Sequence, residues 1–399
     1  MRVCVIYKIF NRPDLMSIVL YFTFTLMLLG HNLFDRKVLF LVFCIYLIAN
    51  IKELPYIISG LISNFALISV LLWCALSATW SQWPFASIEE TLIQTLMFLT
   101  CLLISNLFTM DKVLRFLFYS AITVVTINFA YIIVFFNDAI SPNGMRGIYN
   151  HKNNFGLAMA LCSMFILFNE DWKKRKAILF FLIISVLLLM LSLSKTSIIL
   201  FFISLISGFL ISKYKISSHS FFSASLSWMI LLIILFSIVV YYRFNIMDYI
   251  YYNIDDDFLT GRGKLWLTML LHAEDKLISG FGFNSVWGKG DWSEIYDTDL
   301  YLHNPLWVEA LAASDGGYID LIISIGIIGL FLFLFYTTNS FLRVLMLKNV
   351  NSKFFMITTL TFILLHNVSE TTFLLSINIL WFLFILITNL AISKTRLGE

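Results

Sequence analysis

Ala177-Ile-Leu-Phe-Phe-Leu-Ile-Ile-Ser-Val-Leu-Leu-Leu-Met-Leu-Ser-Leu-Ser194, then Lys195-Thr196, then Ser197-Ile-Ile-Leu-Phe-Phe-Ile-Ser-Leu-Ile-Ser-Gly-Phe-Leu-Ile-Ser212 is a pair of uncharged apolar runs with almost no loop between them. A helix that crosses a bilayer needs about 20 mostly apolar residues. The pair therefore reads as two membrane spans joined by a tight turn.

The same pattern extends in both directions. Comparable runs lie near Leu15–Gly30, Val38–Asn50, Tyr56–Thr79, Thr91–Phe108, Phe116–Phe136 and Asn154–Phe168 on one side. Phe221–Tyr241, Gly317–Ser340, Phe354–Val368 and Thr371–Ile392 follow on the other. The count predicts an all-α polytopic membrane protein of about 12 transmembrane helices. Composition agrees, with 60% hydrophobic and 13% charged residues, 40 Phe and a mean hydropathy of +0.89. No ordinary soluble domain approaches this. Arg2, Lys8 and Arg12 precede the first run, but no small-residue cleavage site follows and further spans do, so the first run reads as a span and not a signal peptide. The five cysteines (Cys4, Cys44, Cys74, Cys101, Cys162) fall in or beside apolar segments, so neither a disulfide framework nor a zinc site is expected. The net charge of +3 does not point to nucleic acid, because basic residues belong wherever short loops face the cytoplasm.

Those basic residues set the orientation. With the N-terminus inside, cytoplasmic segments hold 17 of the 27 Lys and Arg, whereas the short external loops hold only Arg36, Lys37, Arg146, Lys152 and Lys195. This asymmetry predicts both termini inside. Three regions follow: residues 1–241 with nine spans, a large external loop over 242–316 with short helices, and residues 317–399 with three more spans. The loop carries 12 of the 24 acidic residues, Asp255-Asp-Asp257 among them.

Ionisable residues inside spans are costly and mark function. Here the exceptions are Asp320, near the start of the tenth span, and His366 with Glu370 at the external end of the eleventh. Polar chemistry thus gathers at the external surface. A transporter or flippase of lipid-linked sugars, the alternative class, would be expected to place charges or broken helices near the midplane. The external cations Arg146, Lys152, Lys195 and Arg262 would face one side and could converge on a membrane-borne anion, for which a pyrophosphate is the fitting ligand. Each cation taken singly also reads as a snorkelling anchor; Lys195 does so least, because positive charge is disfavoured in short external loops. For chemistry on a sugar hydroxyl, the loop offers His303, Glu309 and Asp315 as proton acceptors, and His272 as a weaker one. Trp287, Trp292, Tyr296, Tyr301 and Trp307 would serve equally as sugar-stacking rings or as an interfacial belt.

Four stretches resemble the O-antigen ligase and polymerase superfamily, in particular its ExoQ-like and Wzy-type polysaccharide polymerases. They are Gly147-Ile-Tyr-Asn-His-Lys-Asn-Asn-Phe-Gly156, Ser192-Leu-Ser-Lys-Thr196, Leu259-Thr-Gly-Arg-Gly-Lys-Leu-Trp266 and Gly280-Phe-Gly-Phe283. The start Gly317-Tyr-Ile-Asp of the next span is similar to the segment after the family's large periplasmic loop. The resemblance implies a metal-independent glycosyltransferase of the bacterial inner membrane, without cofactor, acting at the periplasmic face. Its partners would be an undecaprenyl-pyrophosphate-linked glycan donor and acceptor and the lipid bilayer, with room for a chain-length regulator. The product would be O-antigen, capsule or exopolysaccharide; the alternative is a ligase passing glycan to lipid A core. The resemblance also implies that Lys195 and Arg262 contact the pyrophosphate, with His151, Asn153 and Asn304 in support. Two departures stand out. The family usually has Arg at the position of Lys195, and many members carry His-Asn where this chain has Asp315-Gly316, while His303-Asn304 lies a dozen residues earlier.

Overall fold

The computed structural model describes residues 13–30, 36–169, 176–214, 261–288 and 293–396, with the single positions 227, 230 and 234. The expected ninth span, the acidic triplet Asp255–Asp257 and Trp292 lie outside these residues. The described chain is helical apart from a two-stranded hairpin, β1 (Ile140–Ser141) and β2 (Gly144–Met145). The helices are α1 (Pro13–Leu29), α2 (Arg36–Ala49), α3 (Leu54–Ser63), α4 (Phe65–Leu76), α5 (Pro84–Leu107), α6 (Met110–Val134), α7 (Phe136–Ala139), α8 (Lys152–Leu167), α9 (Lys176–Leu191) and α10 (Lys195–Ile211). From the loop come α11 (Arg262–His272), α12 (Asp299–His303) and α13 (Pro305–Glu309), and α14 (Gly317–Met346), α15 (Val350–His366) and α16 (Ile379–Arg396) complete the set.

Large apolar side chains cover the outside of the bundle as well as its core: Phe85 is 87% exposed and Ile62 74%, while Phe24, Phe43, Phe333 and Trp381 are fully buried. A helix that is apolar on every side has lipid as its solvent. Three helices, α5, α6 and α14, are long and apolar enough to cross a bilayer. Seven shorter apolar helices accompany them. Twelve spans are therefore not all present as full-length helices among the described residues.

Two runs expected as continuous spans are broken. Tyr56–Thr79 bends by 89° at Asn64, which adds a possible fourth span if α3 and α4 count as one. The side-chain amide of Asn64 caps this break, donating to Gly60 O at 2.9 Å and to Asn389 Oδ1 at 2.9 Å. In α14 the break is at Gly326, whose φ of 71° is open to glycine and closed to a branched side chain. Gly326 lies about 14 Å along the helix from its first residue. The loop segment Leu277–Phe283 runs into this break and mends it: Phe281 and Gly282 N–H donate to Ile323 O and Ser324 O, and Ile327 N–H donates to Leu277 O, all at 2.8–2.9 Å. Non-helical backbone at membrane depth survives only where protein or a cavity satisfies it. Here the Gly280-Phe-Gly-Phe283 stretch does so, anchored further by Phe283 N–H donating to Ser77 Oγ at 2.9 Å and Ser87 Oγ donating to Phe283 O at 2.6 Å.

The described part of the loop has its own small core, in which Leu265, Met269, Leu277, Phe281, Ile295 and Val308 pack on Ile323 of α14. The loop is thus fixed to the bundle by apolar contact as well as by backbone pairing. In the bundle α1 packs on α6, α8 on α6 and α9, α10 on α15, α5 on α16, and α4 on α14.

Candidate functional site

One end of the bundle gathers the motifs that are far apart in sequence. The His151 side chain accepts from Asn153 N–H at 3.2 Å and so caps the start of α8. Four residues on, Gly156 faces the turn between α9 and α10, where an added Cβ would lie 2.7 Å from Ser194 Cβ. Only a residue without a side chain lets α8 and this turn approach so closely. Asn153 is thereby brought against Ser194, whose hydroxyl donates to Asn153 Oδ1 at 3.3 Å. The Asn153 amide nitrogen in turn donates to Glu370 Oε1 at 3.0 Å.

Glu370 joins this pair to the loop. Gly261, with φ 86°, turns the chain into α11 and puts Arg262 at the helix's first position. From there the guanidinium donates to Asp315 Oδ2 through Nε at 3.3 Å and Nη2 at 3.1 Å, while Nη2 also lies 3.5 Å from Glu370 Oε1. Arg262, Asp315 and Glu370 remain 24%, 47% and 22% exposed, so a ligand can reach all three. Asp315 itself has φ 54°, a conformation rare outside glycine that concentrates at functional sites.

Behind this knot Asp320 holds the scaffold. Its carboxylate accepts from Trp287 Nε1 at 2.8 Å, from Ser314 N–H at 3.2 Å and from the Thr371 hydroxyl. Thr371 Oγ1 also accepts from Gly316 N–H at 3.1 Å, and Trp266 Nε1 donates to Ser314 O at 2.8 Å. Residues 314–316 are therefore fixed from both sides, which sets where Asp315 presents its carboxylate. Both Asp315 and Asp320 sit at the start of α14, where the positive helix end favours anions.

Burial pushes the Glu370 carboxyl up from the ordinary glutamate range, against the pull of Arg262; the charge of Asp315 adds to the rise and the Asn153 hydrogen bond opposes it. A carboxylate shifted in this direction is a better proton acceptor than a free one.

Among the residues singled out in the sequence, Asn153, Arg262 and Asp315 meet in this cluster. Lys195, the first residue of α10, is exposed beside Ser194. Lys152 donates to Asn143 O at 2.9 Å, and Arg146 donates through Nε to Asp138 O at 2.9 Å. Among the described residues none of these three cations has a carboxylate partner. His303 and Glu309, at the ends of the short helices α12 and α13, and Asn304 between them are exposed, with Glu309 accepting from Tyr301 OH at 3.1 Å. Among the described residues no hydrogen bond or ion pair ties them to Arg262 or Glu370. Glu370 was visible in the sequence only as an acid at a span end; that isolation was the signal that it belongs to a site.

His272, Glu294 and Asp297 bring potential metal-ligand atoms within 4.8 Å of one another in the loop. His272 Nε2 is 3.5 Å from Glu294 Oε2 and Lys276 Nζ is 3.9 Å from Glu294 Oε1, so a resident cation already faces the buried carboxylate. The ion pair of Lys276 with Glu294, just past the end of α11, holds this part of the loop to residue 294. The four described cysteines (Cys44, Cys74, Cys101, Cys162) are free.

Residues 179–334 match the family model described as O-antigen ligase. The match covers the turn at Ser194, Arg262, the Gly280–Phe283 insertion, Asp315 and the break at Gly326. No curated protein matches the chain. The chain is thus a helical membrane protein in which residues 179–334 are similar to the O-antigen ligase family model.

Proposed function

We propose that the protein is a polymerase that joins undecaprenyl-pyrophosphate-linked oligosaccharide repeat units at the periplasmic face of the bacterial inner membrane. The observation that carries this reading is the knot of Arg262 with Asp315 and Glu370, tied through Asn153 to Ser194, the chain neighbours of Lys152 and Lys195. Cations beside carboxylates are what a displacement at a glycosyl pyrophosphate requires.

In this scheme a hydroxyl oxygen of the acceptor sugar attacks the anomeric carbon of the donor. The bond from that carbon to the pyrophosphate oxygen breaks, and its electron pair leaves with the pyrophosphate. Arg262, helped by Lys195, meets the growing negative charge, a kind of contact whose removal costs about 10²–10³ in rate. The hydroxyl proton passes to Asp315 or Glu370. Glu370 carries the shift that suits a base, and Asp315 carries the greater exposure. The cations hold the leaving group in place of a metal.

A defined lipid-linked repeat, given to purified protein, tests the reading through the length of the product. Elongation is expected from wild type and not from Arg262→Ala; long product from the Arg262→Ala, Lys195→Ala double variant would remove this site from the mechanism. A deletion strain separates the acceptors. Single repeat units on the cell's own acceptor mark a polymerase, and accumulated lipid-linked polymer marks a ligase.

A further inference from the structure

Beside the charged knot lies a cavity of about 670 Å³, walled by α5, residues 283–287, Ala312–Ala313, the start of α14 and residues 371–378. It falls within the roughly 300–1,000 Å³ of small-molecule sites. Asp320 and Thr371 belong to both places, since both line the cavity and both fix residues 314–316 next to Asp315.

The wall is built at a conformational cost. Among the described residues five non-glycine positions have positive φ, and three of them, Asn284 (53°), Leu374 (53°) and Ile377 (66°), line this cavity. For a β-branched isoleucine that conformation is an outlier. It is held from outside: Gln94 donates to Leu374 O at 2.7 Å, Glu90 Oε1 accepts from Ser376 N–H at 3.1 Å, and Asn367 Oδ1 accepts from Thr372 and Phe373 N–H at 2.8 and 2.9 Å. Strain retained by so many contacts marks a functional surface.

The chemistry left over identifies the ligand class. Asp320 is engaged by Trp287, Ser314 and Thr371, and Glu90 by Gln94 and Ser376, so both carboxylates serve the wall. The Asn284 amide, the Ser376 hydroxyl and the Asn378 amide nitrogen make no hydrogen bond among the described residues, and they stand with the indole of Trp287. The rest of the lining is largely apolar, with Phe283, Leu321, Phe373 and Leu375 among it, and neutral donors and acceptors set between apolar and aromatic faces suit a sugar ring, whose faces are apolar and whose hydroxyls are neutral, and not an anion.

We infer that this cavity is a sugar-binding subsite that seats the end of the acceptor glycan, with its hydroxyl directed to the Asp315 side. The inference rests on the proposed transfer reaction. The probe is a lipid-free single repeat oligosaccharide, released from the host's surface polysaccharide by mild acid, titrated into the full-length protein in nanodiscs and followed by saturation-transfer NMR and tryptophan fluorescence. Wild type should bind it. Ala312→Trp, which fills the cavity from an exposed position, and Asn284→Gly, which removes an amide at a backbone glycine accepts, should each weaken binding by about tenfold and raise KM for acceptor more than they lower kcat. Arg262→Ala should bind the free sugar as wild type does while losing elongation. The subsite is overturned if wild type fails to bind the oligosaccharide, if both cavity variants bind it unchanged, or if undecaprenyl phosphate alone displaces it. Normal elongation by Arg262→Ala would instead overturn the transfer site and leave the sugar-binding result standing.

Discussion

Two stretches of irregular backbone enter this helical bundle, and they are satisfied in different ways. Leu277–Phe283 closes on the backbone of α14 around Gly326, carbonyl to amide, glycine against glycine. Asn367–Asn378 pairs its backbone with the bundle at its start, where Gly317 N–H donates to Asn367 O, but its cavity-lining part is held by the side chains of Glu90, Gln94 and Asn367 and leaves a cavity alongside. Backbone-to-backbone closure makes a mended break with no room for a ligand along Leu277–Gly282, and only its end at Phe283 reaches the cavity. Side-chain closure makes a wall. The first stretch therefore reads as structural and the second as part of a site.

The largest effect that would break this comparison is expected at the mended break. A Cβ at Gly280 or Gly326 would run into the backbone of the other strand of the mend, so Gly326→Val should cost more than about 4 kcal/mol and leave no monodisperse protein on size exclusion in detergent. A folded, active Gly326→Val would show that the insertion is not structural.

Arg262 comes next, and its effect should appear in rate and not in folding. Arg262→Ala should lower kcat/KM for elongation by about 10²–10³, with little change in Tm because the guanidinium is partly exposed. Arg262→Lys keeps the charge and loses the fork, so it should recover only part of the rate.

At the wall, Asn367→Ala strips the acceptor from two buried N–H groups, each worth about 1–3 kcal/mol. Tm should fall, and KM for acceptor should rise before kcat changes. An unchanged KM would separate the wall from substrate binding.

The smallest effect sharpens the assignment of the base. Because the Glu370 carboxyl is raised, the folded protein holds its proton more tightly than the unfolded chain does. Its contribution to stability is thus present at low pH and declines as pH rises through its folded value, whereas activity that needs the carboxylate rises over that same window, above the ordinary glutamate range. The acidic limb of kcat/KM should lie there and vanish in Glu370→Gln. Asn153→Asp, which places a second carboxylate 3.0 Å from Glu370 Oε1, should move the limb up by about one pH unit. A limb that stays fixed would transfer the base role to Asp315.

Much of this was legible in the chain. Apolar runs report lipid directly, because burying side chains in hydrocarbon requires nothing beyond composition and length. The cations of the turns could be placed at span ends for the same reason, and short motifs brought Asn153, Ser194, Arg262 and Asp315 to notice. The breaks at Asn64 and Gly326 were not legible, since both lie in apolar runs whose hydropathy is blind to φ. Nor was the partnership of Glu370, more than a hundred residues from Arg262, or the cavity whose walls come from five separate segments.

The sequence by itself determined that this protein is a helical membrane protein with its polar residues drawn to span ends, because solvent preference is local and additive. Which carboxylate meets Arg262, which break is mended and which loop walls a cavity were decided only by the tertiary structure. Those outcomes depend on distances of about 3 Å between residues that composition and periodicity never bring together.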